Sequence, residues 1–142
     1  MIIGFGFTKL HAEKGDVAKG NIDINNNVSI KDVVEDNFSL GKDKQNVLKF
    51  TFEFTSRYEP KVGNVTLEGE LLYVEDPKKA KEILNNWKKE KKLDKDIMAN
   101  LLNTILVKCN VQALILSQQI NLPPPIPLPK VQVSAQQSDY IG

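Results

Sequence analysis

Residues 47–75, VLKFTFEFTSRYEPKVGNVTLEGELLYVE, decide how this chain reads. Leu48, Phe50, Phe52 and Phe54 alternate with Lys49, Thr51, Glu53 and Thr55, and Tyr58 continues the aromatic side. Successive side chains of a strand point to opposite faces, so the pattern gives one apolar and one polar face. After the breakers Pro60 and Gly63, Val65, Leu67, Leu71 and Tyr73 alternate with Thr66, Glu68, Glu70 and Leu72. Two long strands joined by a short turn over 59–64 predict an antiparallel hairpin.

Towards the N-terminus the signals weaken. Ile3, Phe5 and Phe7 alternate with Gly4, Gly6 and Thr8, which predicts a strand that its glycines weaken or bulge. Ile22, Ile24, Val28 and Ile30 predict another, which Asn25-Asn26-Asn27 threaten to interrupt. Residues 31–46 are polar and irregular. They read as a connection, with Val33, Val34, Phe38 and Leu40 as anchors.

Towards the C-terminus the period changes to that of helices. Asp76-Pro77 offers an N-cap followed by Pro at the first helical position. Ala80, Ile83, Leu84 and Trp87 then mark a helix over 77–91. Asp94 opens a second helix over 95–120, about 39 Å long. Its seam is Met98, Leu101, Leu102, Ile105, Leu106, Cys109, Ala113, Leu116 and Ile120. Ile97, Val107, Val111, Leu114 and Ile115 carry the apolar surface almost all round. One side suffices to cover a sheet, so Val107, Val111, Leu114 and Ile115 are expected to meet another subunit. Five prolines in 121–131 stop the helix and favour an extended, polyproline-type segment packed on the body. Residues 132–142 are polar and expected to fray. The whole chain, 1–142, is therefore expected to form one α+β domain. Its four strands would make a sheet packed on one long helix, with an additional short one.

Composition narrows the chemistry. The chain has 142 residues, 19 Lys+Arg and 18 Asp+Glu, for a net charge of +1. This balance argues against a whole-surface polyanion binder, and no nucleic-acid partner is expected. One cysteine excludes an internal disulfide, and one histidine with one cysteine excludes the usual zinc sites. No metal or cofactor is expected. No apolar run reaches the roughly 18–20 residues of a membrane span. The N-terminus lacks the basic and apolar regions of a signal peptide. A cytoplasmic location is the default.

No constellation of catalytic type emerges. His11 has no nucleophile or carboxylate that spacing places beside it. Cys109 lies on the apolar seam and reads as a small buried hydrophobe. Glu53, Glu68 and Glu70 share the outer face of the hairpin with Lys49 and Arg57, which reads as a solvated charged face or a protein-docking surface. Between Lys78 and Lys95 there are eight lysines against Glu82, Glu90 and Asp94. The first reading is a solvated helix face; contact with RNA or an acidic partner is the alternative. Gly4-x-Gly6 lacks the spacing and preceding strand of a dinucleotide loop. With no convergent polar cluster in view, the chain is expected to bind through apolar surface and not to be an enzyme.

The element order, strands, long hairpin, long helix and Leu-Pro-rich extension, resembles the SecB family of export chaperones and its archaeal and toxin–antitoxin-associated relatives. The strongest local likeness is 103–131, NTILVKCNVQALILSQQINLPPPIPLPKV. Asn103, Ile105 and Leu106 match a helical Asn-Ile-Leu stretch, and Asn121, Leu122 and Pro123 match an Asn-Leu-Pro loop. The hairpin, with its acidic Glu68-Gly69-Glu70, is similar to the family's third and fourth strands. The resemblance implies a four-stranded antiparallel sheet backed by a long helix, assembled as a homodimer or homotetramer that holds unfolded polypeptide clients without ATP. It places a peptide-binding groove at Val17, Ile22 and Ile24 in the crossover between the first two strands, with Leu122, Ile126 and Leu128 after the helix. The family's second C-terminal helix has no counterpart here, whereas the helix at 77–91 is additional, so the groove would be walled differently. The family's acidic docking face is here mixed in charge. A second hypothesis is a small apolar-ligand-binding domain or enzyme, with a cavity lined by Phe50, Phe52 and Phe54. A third is a nucleic-acid partner on the Lys-rich helix.

Overall fold

A computed structural model describes residues 1–17, 19–36 and 46–129. Four strands, β1 (Ile2–Lys14), β2 (Asp23–Asp36), β3 (Asn46–Glu59) and β4 (Gly63–Glu75), precede two helices, α1 (Pro77–Glu90) and α2 (Lys95–Gln119). The strands form one antiparallel sheet in the order β1-β4-β3-β2. The expected α+β class, with a four-stranded sheet, one long helix and one shorter helix, is thus observed.

The most cleanly alternating strands, β3 and β4, take the two central positions. Leu48, Phe50, Phe52 and Phe54 are fully buried beside Val65, Leu67 and Leu71. The aromatic side chains fill this layer themselves. Phe5 stacks on Phe52 with ring centroids 5.2 Å apart, and Phe50 meets Tyr73 edge-on at 6.0 Å. The glycine- and asparagine-bearing strands, β1 and β2, form the two edges. β1 shifts register between Ile2 and Gly4 and again between Phe7 and Lys9, so irregular pairing accompanies Gly4, whereas Gly6 stays in register opposite Glu70.

Two expectations on β2 need correction. Residues 31–36 do not connect; they continue the strand to Asp36. A register shift between Ile30 and Asp32 turns Val33, rather than the even-numbered Asp32, towards Phe50 and the core. One extra residue breaks the period-2 pattern, and that break reads in sequence as the end of a strand. Nor do the three asparagines interrupt pairing, because Asn25, Asn26 and Asn27 face Arg57, Ser56 and Thr55 in register. Phe38, Leu40, Val131 and the 132–142 tail lie outside the described residues.

The helices start where the sequence places them. Asp76 Oδ1 accepts from the Lys79 N–H at 2.9 Å, and Pro77 holds the first helical position. Ala80, Ile83 and Trp87 bury one side of α1. On α2 the fully buried line is Leu101, Ile105, Cys109, Ala113 and Ser117, every fourth residue. Leu102, Leu106 and Leu116 flank it, half-buried. The opposite side is uncovered: Val107 is 65% exposed, Val111 58% and Ile115 43%, with Leu114 half-buried beside them. By length and apolarity alone α2 is able to cross a membrane, its best 18-residue window having mean hydropathy 1.3. This corrects the expectation that no segment reaches that threshold. In the fold, one side of α2 covers the sheet's apolar face instead.

Candidate functional site

The crossover from β1 to β2 and the segment after α2 lie at the same end of the sheet, near the β3–β4 turn. Asn121 adopts a left-handed conformation (φ 57°) and ends the helix; Leu122 N–H then donates to the Ser117 carbonyl at 2.8 Å. Leu122 lies directly over Gly63 in β4, its methyl groups 3.0 Å from where a Cβ would stand. Next, the Pro123 carbonyl accepts from the Tyr58 hydroxyl of β3 at 2.7 Å. The Pro125 carbonyl accepts from Asn26 Nδ2 of β2 at 2.8 Å. The segment therefore crosses β4, β3 and β2 in turn. Extended polyproline geometry advances about 3.1 Å per residue, so three residues cover about 9 Å, close to two strand spacings. Prolines have no N–H, and the sheet meets their carbonyls with donors.

These donors form a polar cluster that the sequence pattern did not disclose. Ser56 Oγ donates to Asn26 Oδ1 at 2.6 Å, which orients the Asn26 amide towards Pro125. Ser56 is fully buried on the covered face. Burial pushes the Tyr58 phenol above its usual range, while hydrogen bonding with Ser117 and Ser56 pulls the other way. The expectation of no convergent polar cluster is therefore corrected. Its hydroxyl and amide partners are the chain's own groups, so the cluster fastens the segment and leaves no reactive group pointing outward. Sequence spacing gave one late signal: Asn26 and Ser56 fall on the apolar faces of their strands, where polar residues need partners.

The six residues assigned to the groove separate by exposure. Val17 is 81% exposed and lines an open cavity of about 650 Å³ with Asp16, Lys19, Glu59, Pro60 and Lys61. Ile22 and Ile24 are half-buried against the core. Leu122 is only 5% exposed and belongs to the core, where it presents no free surface. Ile126 is half-buried and Leu128 is 42% exposed. The accessible apolar groups are thus Val17 in the crossover and Ile126 with Leu128 beyond the fastened prolines. Edge strand β1 adds Leu10, which shares the covered face with Leu67 yet remains 48% exposed.

The other candidates are ordinary in their surroundings. Against the expectation that no carboxylate stands beside it, His11 Nε2 lies 3.4 Å from Glu13 Oε2, two residues on along the same face of β1; both side chains are exposed. Glu53 and Glu68 stand opposite each other on the outer face. Lys31 Nζ lies 3.7 Å from Glu53, and Lys9 stands opposite Glu68 in the strand register. Among the described residues no group of three His, Cys, Asp or Glu is placed to hold a metal. The sheet buries Cys109 completely, and this burial pushes its thiol up to about 12. The native protein is therefore expected to resist thiol reagents at neutral pH, with labelling as slow as unfolding. Because the folded thiol titrates above the unfolded one, its contribution to stability is intact below about pH 9 and declines as pH rises towards 12. A Cys109→Ser control separates this loss from that due to tyrosines; labelling at the rate of a free thiol would contradict the burial.

No family model matches the chain, and no curated protein matches it. Among solved structures it is similar to the SecB-like chaperone of Mycobacterium tuberculosis in complex with a ChAD peptide from the HigA1 antitoxin. That likeness has a TM-score of 0.53 at 14% identity, and covers 95% of this chain and 92% of the other. The two share a fold.

Proposed function

We propose that this chain is an ATP-independent holdase, which binds unfolded or precursor polypeptides through apolar surface. The observation that carries the reading is the SecB-like fold, shared over nearly the whole chain with a chaperone whose structure contains a bound peptide. Exposed apolar groups in the crossover and beyond the proline segment support it, as does a sheet with two strand edges. An unfolded client offers apolar side chains and unpaired backbone, and these surfaces suit both. Such holding requires no catalytic group, metal or cofactor. The proposed setting is the cytoplasm, with protein export, toxin–antitoxin control or general holding as its uses.

The test is suppression of aggregation of a chemically unfolded client, with and without ATP. Equal suppression in both conditions is expected; client aggregation at the uninhibited rate refutes the reading. The apolar-ligand alternative needs a cavity lined by Phe50, Phe52 and Phe54; these side chains are fully buried, with Phe52 stacked on Phe5 and edge-on to Phe7.

The holdase would act as a homodimer or homotetramer joined along α2. Val107, Val111 and Ile115 stand in one line at every fourth residue and remain exposed, with Leu114 beside them. Val111→Asp places a charge in that line without touching the buried Leu101–Ser117 seam. It is expected to reduce the mass in solution to that of a monomer while preserving the strand signal in circular dichroism. A wild-type protein that is already monomeric at micromolar concentration overturns this assembly.

A further inference from the structure

The strongest charge on the molecule lies on α1 and the turn after it. Eight lysines against three acids between Lys78 and Lys95 give this stretch +5, while the chain as a whole carries +1. The remainder is thus −4, so the charge is segregated. All eight lysines are exposed, and none makes an ion pair among the described residues.

Their placement is uneven around the helix. Each residue turns about 100°. With Ala80, Ile83 and Trp87 against the sheet, Lys78, Lys81, Asn85, Lys88 and Lys89 fall on the outward side. Glu82 shares that side beside Lys78 and Lys89, and Glu90 lies on its flank, so four lysines stand there against one acid. Lys78 and Lys81, three apart, repel, whereas the Asp76 cap and the last-turn Lys88 and Lys89 suit the helix dipole and Glu82 stands four residues from Lys78. The helix therefore tolerates its lysines, and their excess charge is answered by no ion pair among the described residues.

We infer that this strip is a docking surface for an acidic segment of a partner polypeptide. From Lys78 to Lys89 it runs about 16 Å, the length of about five residues of extended chain. The side-chain chemistry selects against other polyanions. The strip has no arginine to fork onto phosphates. Its helix has one aromatic residue, Trp87, which is only 6% exposed, packs on the sheet and lies beneath Lys91 Nζ at 5.3 Å. No ring is left to stack on a base. Ala80, Ile83 and Trp87 all turn inward, so the outer side of α1 has nothing to insert into a lipid surface.

The test uses a fluorescein-labelled peptide of alternating Glu and Ser, without apolar residues, measured by anisotropy at low salt. One variant combines Lys78→Gln, Lys81→Gln, Lys88→Gln and Lys89→Gln. The control removes the same charge elsewhere, with Lys9→Gln, Lys14→Gln, Lys31→Gln and Lys49→Gln. The strip variant is expected to lose at least about tenfold in affinity and the control little. Melting of the strip variant should not fall, because Gln and Lys have similar helix propensity. Failure of the wild type to bind the peptide overturns the inference, as does equal loss in both variants. Tighter binding of oligouridylate or of phosphatidylglycerol vesicles, through these same lysines, overturns the assignment to a polypeptide. Aggregation suppression by the wild type, scored separately, reads the holdase proposal, so either can fail alone.

Discussion

Gly69→Ala is expected to destabilise the protein by about 2–4 kcal/mol, a large fraction of a small domain's stability. A Cβ at this position would stand 2.5 Å from the Phe52 ring and 2.5 Å from the Gly6 carbonyl oxygen. The Gly6 oxygen belongs to the neighbouring strand, which is paired to β4 on both sides of that point. The ring is equally constrained: Phe52 is fully buried, stacked on Phe5 and edge-on to Phe7. The ring of Phe52 thus occupies the volume that a side chain at 69 would need. Gly6→Ala is the matched control, since nothing lies within 4 Å of its Cβ. Thermal melts of the two variants should differ by about 10 °C or more. Equal melting temperatures would show that the Phe52–Gly69 contact is looser than described.

Ile126→Ser with Leu128→Ser is expected to weaken client holding at least about tenfold and to leave melting nearly unchanged. Each apolar contact fully buried by a client is worth about 1–3 kcal/mol. Neither residue is in the core: Ile126 is half-buried and Leu128 is 42% exposed. Leu122→Ser should behave oppositely. Its side chain lies in the core over Gly63, and emptying such a site costs about 2–5 kcal/mol. Stability falls first in that variant, and any folded remainder should hold clients normally. Melting and aggregation suppression, measured on the same preparations, distinguish the cases. If the double variant melts as Leu122→Ser does, the whole segment 122–128 is a structural strap and client binding lies elsewhere.

The contrast between Leu122 and Leu128 also marks how far the sequence could be read. Both are apolar residues in one proline-rich stretch, and the pattern treats them alike. Only the hydrogen bonds from Tyr58 to Pro123 and from Asn26 to Pro125 show where the stretch is fastened. Those bonds join residues 65 and 99 positions apart, so no local spacing encodes them. The same holds for Ser56, an apparent blemish on the face of β3 that becomes intelligible once Asn26 stands opposite.

What the sequence determined by itself was local and periodic. The alternation from Leu48 to Tyr73 specified a hairpin with one buried face, because side-chain direction in a strand follows position alone. Asp76-Pro77 and the spacing of Ala80, Ile83 and Trp87 specified α1, and the excess apolar surface of α2 was legible in the same way. The tertiary structure decided what depends on pairing between distant segments: the order β1-β4-β3-β2, the continuation of β2 through the shift at Ile30–Asp32, and the burial of Leu122. A register shift adds one residue and reverses the faces that follow, so sequence periodicity sees an ending where the strand carries on. Burial of a loop residue depends on what the rest of the chain places above it, and Gly63 is that partner because its missing side chain leaves room for Leu122.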